Sequence, residues 1–175
     1  MSVWKQNTWL MFHTISKNYD EKYKDKYEDF FNSFKSVIPC KICRTHYIQN
    51  ISKPGLLISE NINSERIFNW TIDLHNTVNR MHRKTLWDYN KAVNIYNSNI
   101  SFPTIKMFIY EYVLFNLKKN QEKTEGLIKM LKSLSYVYPN KVIRDRLIDF
   151  TEKFELNTDT IKKWLYAYLL IIKNT

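Results

Sequence analysis

The chain is predicted to be all-α, and three observations predict it. Its 175 residues include only two glycines and four prolines, too few for the many tight turns of an all-β fold. Apolar residues recur at three- and four-residue spacing along most of the sequence, the period of one helix face. Hydrophobic residues make up 44% of the chain, enough at this length for one domain with a sizeable core, or for a domain and a smaller appendage.

The elements follow in order. A first helix is expected over residues 7–18, where Trp9, Phe12, His13 and Ser16 share a face flanked by Leu10 and Ile15. The charged stretch from Asp20 to Lys26 leads into a second helix over 23–37, with Tyr27, Phe30, Phe31 and Phe34 as its apolar stripe. A third helix takes Pro39 in its first turn, where the missing N–H costs nothing, and ends near Ile51 ahead of the Pro54-Gly55 turn signal. After a linker, Ser64 is the expected N-cap of a fourth helix over 65–83.

That fourth helix has an apolar stripe through Ile67, Trp70, Leu74, Val78 and Met81. The stripe beside it, Phe68, Ile72, His75, Asn79 and His82, starts apolar and turns polar halfway, as a helix does when its second half walls a cavity. With Asn76 next to Asn79, it offers more donors and acceptors than a core holds without a polar guest. A short helix over 88–97 and a linker through Pro103 close a first region. Helical patterns near 104–119, 122–136, 141–154 and 158–173 make a second, with Thr158 or Asp159 capping the last. The expected division is 1–99 and 104–175, the second part lacking Cys and His. No internal repeat is evident.

The net charge of +10 is spread evenly: residues 1–100 and 101–175 each carry +5. No basic arm or patch emerges, so the charge reads as solvated surface and no specific nucleic-acid partner is expected. The longest apolar run, Trp164 to Ile172, is far short of the roughly 20 residues of a membrane span. No leader pattern opens the chain. These features predict a soluble intracellular protein, and in a reducing compartment a lone cysteine pair is catalytic or metal-binding more often than structural.

The only cysteines, Cys40 and Cys43, lie two residues apart behind Pro39. At a helix start, with Lys41 and Arg44 beside them, they are placed to favour the thiolate, the attacking form in disulfide exchange. The competing reading is a structural zinc site of Cys40, Cys43, His46 and one of His75 or His82, forming a helical module that binds nucleic acid or protein. The spacing differs from that of the usual finger.

Three blocks, Trp4-x4-Trp9-x3-His13, Pro39-Cys40-x2-Cys43-Arg44-x-His46-Tyr47 and Trp70-x4-His75-Asn76-x-Val78-Asn79-x4-Lys84, together resemble the Erv/ALR family of FAD-linked sulfhydryl oxidases, over roughly residues 4–97. The resemblance implies a four-helix bundle with a short fifth helix, holding FAD and usually forming a homodimer. Cys40 and Cys43 are implied as the redox pair, Cys40 taking the substrate thiol and Cys43 facing the flavin, with electrons passing to oxygen to give hydrogen peroxide. Trp9, His13, His46, Trp70, His75, Asn76, Asn79, Lys84 and Trp87 are implied cofactor contacts, with Trp70 placed either against the flavin or in the core, and no metal is implied. Thiol-bearing proteins are the implied substrates.

Two departures from the family pattern stand out. Lys5-Gln6 replaces a Gly-Pro, and Arg83 replaces a Gly. A second cysteine pair is missing as well, so a thioredoxin-like relay protein or the partner subunit would do any shuttling. An excess of Lys, Asn, Ile, Tyr and Phe points to an AT-rich genome, and with the missing structural cysteines to a large DNA virus, placing the protein in host cytoplasm or virion. The role of residues 104–175 is left open.

Overall fold

The computed structural model describes residues 3–96, 100–117 and 121–174, with the side chains of 3, 4, 121 and 122 outside that set. Trp4 of the first motif and the linker residues 97–99 therefore lie outside the described side chains. Among the described residues the fold is helical, without strands.

Helix α1 (Val3–Lys17) starts four residues earlier than its apolar pattern predicts. Lys5 and Gln6 are good helix formers standing where a Gly-Pro would stop the helix, so the first turn propagates upstream. A 3-10 turn, Glu21–Tyr23, is capped by Asp20, whose carboxylate accepts from Lys22 N. Helix α2 (Lys24–Val37) follows, and its predicted stripe of Tyr27, Phe30, Phe31 and Phe34 is completely buried.

Helix α3 (Lys41–Ile51) begins two residues later than expected. Cys40, not a residue before it, is the N-cap, and Pro39 stands outside the helix. The reason is local: the Cys40 sulfur accepts from Cys43 N at 3.2 Å, satisfying an N–H that the first turn leaves unpaired. The linker then makes the predicted turn. Leu56 N donates to Lys53 O at 3.0 Å, with Gly55 at φ 79, a type II turn whose third residue needs a positive φ. A short helix, α4 (Ile58–Asn61), follows within the predicted linker.

Helix α5 (Ile67–Met81) corrects the expected N-cap. Ser64 does not cap it; the Asn63 carboxamide oxygen accepts from Glu65 N and Arg66 N at 3.2 and 3.0 Å, and the helix proper starts beyond. Its C-terminus closes with paired bonds from Lys84 N to Asn79 O at 2.9 Å and Arg83 N to Arg80 O at 3.1 Å, a Schellman ending that puts Arg83 at φ 52. This is the position where the resembled pattern has Gly. Helix α6 (Tyr89–Ile95) is capped by Asp88.

Beyond the linker come α7 (Phe102–Asn116), α8 (Gln121–Val137), α9 (Lys141–Lys153) and α10 (Ile161–Lys173). The expected caps Thr158 and Asp159 give way to Asn157, whose side chain accepts from Asp159 N and Thr160 N at 3.0 Å each. Helix α8 lies along α2 and α7 against α1. The hydrophobic core is continuous from Met11 through Tyr112 to Ile172, while a small satellite of Ile72, Ala92 and Tyr96 seats α6 beside α5. No described helix is long and apolar enough to cross a membrane.

Candidate redox site

The site forms where α1, α3 and α5 converge. Their facing side chains enclose a cleft of about 230 Å³ lined by, among others, Trp9, Cys43, His46, His75, Asn79 and Lys84. These six sequence-predicted residues come from three separate blocks of the chain and meet in one place. His13, Trp70, Asn76 and Trp87 do not line the cleft.

His13 stands behind it, completely buried, and organises the wall. The Thr71 hydroxyl donates to Phe68 O at 2.8 Å, which leaves its oxygen to accept from His13 Nδ1 at 3.0 Å. His13 Nε2 must then accept, and His75 Nδ1 donates to it at 2.9 Å. His75 is left with a bare Nε2 acceptor on a ring that lines the cleft. Trp9 stacks flat on His75, with ring centroids 4.1 Å apart and planes inclined by 3°.

Both imidazoles are neutral at physiological pH. Burial, reinforced by the nearby His75, holds His13 well below its ordinary value, and burial followed by the charge of Lys84 lowers His75 to about 4. Neutral rings are what the hydrogen-bonded chain requires, since two imidazolium groups cannot bond each other.

Asn76 and Asn79 shape the cleft from below by tying down the segment after α5. The Asn76 amide donates to Trp87 O at 3.0 Å and its carbonyl accepts from Trp87 N at 2.7 Å. Asn79 donates to Thr85 O at 3.1 Å. These bonds carry Lys84 to the cleft and set Trp87 beside His75 at 6.1 Å between centroids. Trp70 belongs to the core, its Nε1 donating to Leu56 O at 3.0 Å and its ring edge-on to Phe31.

The two cysteines occupy different environments. Cys43 lines the cleft; Cys40 sits at the start of α3, half-exposed and outside the lining. Burial pushes both thiols up. For Cys40 the hydrogen bonds from the Cys43 thiol and backbone, with the charge of Lys5, outweigh burial and bring it below the ordinary thiol value. Burial and the bond to Cys40 leave Cys43 raised. Cys40 is thus the sulfur favoured as thiolate, with Cys43 as its donor.

Three lining residues escaped the sequence reading: Lys5, Thr8 and Asn50; His82 lines the cleft as its place on the polar stripe of the fourth helix predicts. Lys5 precedes Trp9 by four residues and Asn50 follows His46 by four, so the helical neighbour rule could have found both. Tyr96, which packs on His13 at 4.6 Å, had no such signal because a separate helix brings it in. Among the described residues no three His, Cys, Asp or Glu side chains form a metal-binding group.

The chain is a helical bundle with a Cys-x-x-Cys pair at a helix start, one sulfur facing an aromatic cleft. The chain belongs to the Erv1/Alr family, whose sequence model matches residues 6–97. It is 31% identical over 94 residues to a protein of Acanthamoeba polyphaga mimivirus described as a probable FAD-linked sulfhydryl oxidase. The match covers 51% of this chain and 66% of the relative, just under two thirds of its length. No solved structure matches the chain.

Proposed function

We propose that the protein is an FAD-dependent thiol oxidase that makes disulfides in thiol-bearing protein substrates. The observation that carries this reading is the placement of the cysteines, Cys43 on the cleft wall and Cys40 at the exposed helix start.

The residues present fit a flavin. The cleft walls are aromatic and apolar, as a flat ring requires, and Lys5, Lys84, His46 and His82 supply donors for phosphate oxygens. Asn50 adds a buried amide nitrogen without a partner, a donor that a bound guest would satisfy. Trp9, His46, His75, Asn79 and Lys84 would hold the cofactor directly; His13 would position His75, and Asn76 and Trp87 the segment bearing Lys84. Bound FAD would supply a two-electron acceptor that passes its electrons to oxygen, giving hydrogen peroxide.

The protein's own part is thiol exchange. A substrate thiolate attacks the Cys40 sulfur of the oxidised pair, forming a mixed disulfide and releasing Cys43 as a thiolate on the cleft wall. A second substrate thiol, deprotonated, then attacks the substrate sulfur of that mixed disulfide. The substrate leaves oxidised and Cys40 leaves as the thiolate its surroundings favour. With no further cysteine in the chain, substrates reach Cys40 directly or through a thioredoxin-like relay protein. This chemistry is confined to residues 1–99, with 104–175 as a helical region packed on them. The viral relative and the absence of structural cysteines support action in the host cytoplasm or virion.

The test is dithiothreitol-dependent oxygen uptake by purified, yellow full-length protein. Cys43→Ser should abolish uptake while retaining flavin absorbance. Wild-type protein that is colourless, takes up no FAD and consumes no oxygen would overturn the proposal.

A further inference from the structure

We infer that residues 102–173 are a degenerate second copy of the fold in residues 3–81, occupying within one chain the place that an identical subunit would take. The inference stands apart from the FAD reading, because it rests on backbone caps, core positions and helix contacts.

The correspondence appears once the residues of α2 and α3 are set one hundred before those of α8 and α9, and the residues of α5 ninety-four before those of α10. Val37-x-Pro39-x-Lys41-x-x-Arg44 recurs as Val137-x-Pro139-x-Lys141-x-x-Arg144, at the same joint, α2 to α3 and α8 to α9. Four matches would be weak evidence of kinship alone. The hydrogen bonds match too. Cys40 Sγ accepts from Cys43 N at 3.2 Å, and Asn140 Oδ1 from Ile143 N at 3.1 Å. Arg44 Nη1 donates back to Ile38 O at 2.7 Å, and Arg144 Nη1 to Tyr138 O at 3.3 Å. Ser33 Oγ donates to Phe30 O at 2.6 Å, and Ser133 Oγ to Met130 O at 3.1 Å.

The core repeats in parallel. Tyr27, Phe30, Phe31 and Phe34 have Leu127, Met130, Leu131 and Leu134 as counterparts, all eight completely buried. Ile67 and Trp70 of α5 are matched by Ile161 and Trp164 of α10, with the same three-residue spacing and all within 3% of full burial. The sequence hid the repeat because aliphatic residues replaced aromatics at most core positions, a change that preserves burial while erasing identity.

The two copies meet as symmetric subunits do. In a two-fold arrangement, a contact from residue i to residue j is accompanied by one from j to i. Ser36 lies against Gly126, and the reciprocal pair, Lys26 and Tyr136, also meet, with the ammonium 5.1 Å from the ring centre. These two contacts set α2 antiparallel to α8. Between them Asp29 meets its own counterpart, Lys129, at 2.8 Å. In a homodimer that position would oppose aspartate to aspartate. Opposite charges at equivalent sites are available only to two copies that have diverged within one chain.

Divergence has also removed the chemistry. Asn140 and Ile143 stand where Cys40 and Cys43 do, Leu169 and Lys173 where His75 and Asn79 do, and α7 contains neither His nor Trp. The second copy serves as a scaffold, and the particle has one redox site per chain. The homodimer implied by the family resemblance is replaced by an internal one.

The test uses the full-length protein. Light scattering on a sizing column should give a mass near 21.3 kDa. A mixture of unlabelled and heavy-isotope-labelled chains, cross-linked with a zero-length carbodiimide, should yield the Asp29–Lys129 peptide pair only as light with light and heavy with heavy. A particle of twice the mass, or mixed light and heavy pairs, would overturn the inference.

Discussion

One helix end treats Cys40 and Cys43 differently, lowering the first thiol and leaving the second raised, and this should show in their reactivity. Iodoacetamide should label Cys40 about tenfold faster than Cys43 near neutral pH, as expected of a thiolate beside a protonated neighbour. Peptide mass spectrometry after brief alkylation reads this directly. Lys5→Ala should slow the labelling of both cysteines, because its charge favours the thiolate of each. The imidazole pair gives a second residue-level expectation. Folding lowers both pKa values, so the unfolded chain binds more protons below the ordinary histidine value of about 6.5. Stability should therefore be full above that pH and decline as pH falls toward about 4, the folded value of His75, with His13 extending the loss further down. His75 alone accounts for about 3 kcal/mol across the window. Melting temperatures taken between those limits should fall steadily, and His75→Gln should remove part of the slope.

At the scale of the element, two helix positions invite substitution in opposite directions. Arg83 holds a left-handed conformation at the Schellman ending of α5, which costs a residue with a Cβ roughly 1–2 kcal/mol. Arg83→Gly should raise stability by about 1 kcal/mol, the relief exceeding the entropy that glycine adds to the unfolded chain. Chemical denaturation measures it. Gly126 presents the reverse case. Alanine in a helix interior gains about 1 kcal/mol by propensity, but here its Cβ would strike Ser36 Oγ and press on Val37 Cγ1 at 3.3 Å. Overpacking of this kind costs about 1–3 kcal/mol, so Gly126→Ala should destabilise on balance, and adding Ser36→Gly should recover most of the loss. The polar half of α5, legible in the sequence as a cavity wall, proves to have two layers. His75 and Asn79 line the cleft, while Asn76 holds the segment behind it. Spacing alone could not separate them, because adjacent residues on one helix face differ only in what packs above them.

For the whole molecule, the continuous core from α1 to α10 predicts one cooperative unfolding transition. Far-ultraviolet circular dichroism and tryptophan fluorescence should coincide through a guanidinium titration. Separate transitions would mean that the redox region and the second region fold independently. The division near residues 97–103 follows the chemistry of the chain, since every Cys and His precedes it, whereas the core runs across it. Helix α2 links the two, turning its aromatic stripe toward α1 and presenting Ser36 and Asp29 to α8.

The sequence by itself determined the helical class, the extent of most helices and the family, because these depend on local period, caps and motif side chains. Tertiary structure decided which predicted residues reach the cleft, that the Cys40 sulfur caps its own helix, and that Lys5 joins the site. It also decided the relation between the two halves. Burial constrains a core position to be apolar and of suitable volume, not to keep its identity, so a repeat that has lost its aromatics and cysteines survives in hydrogen bonds and packing after it has faded from the sequence.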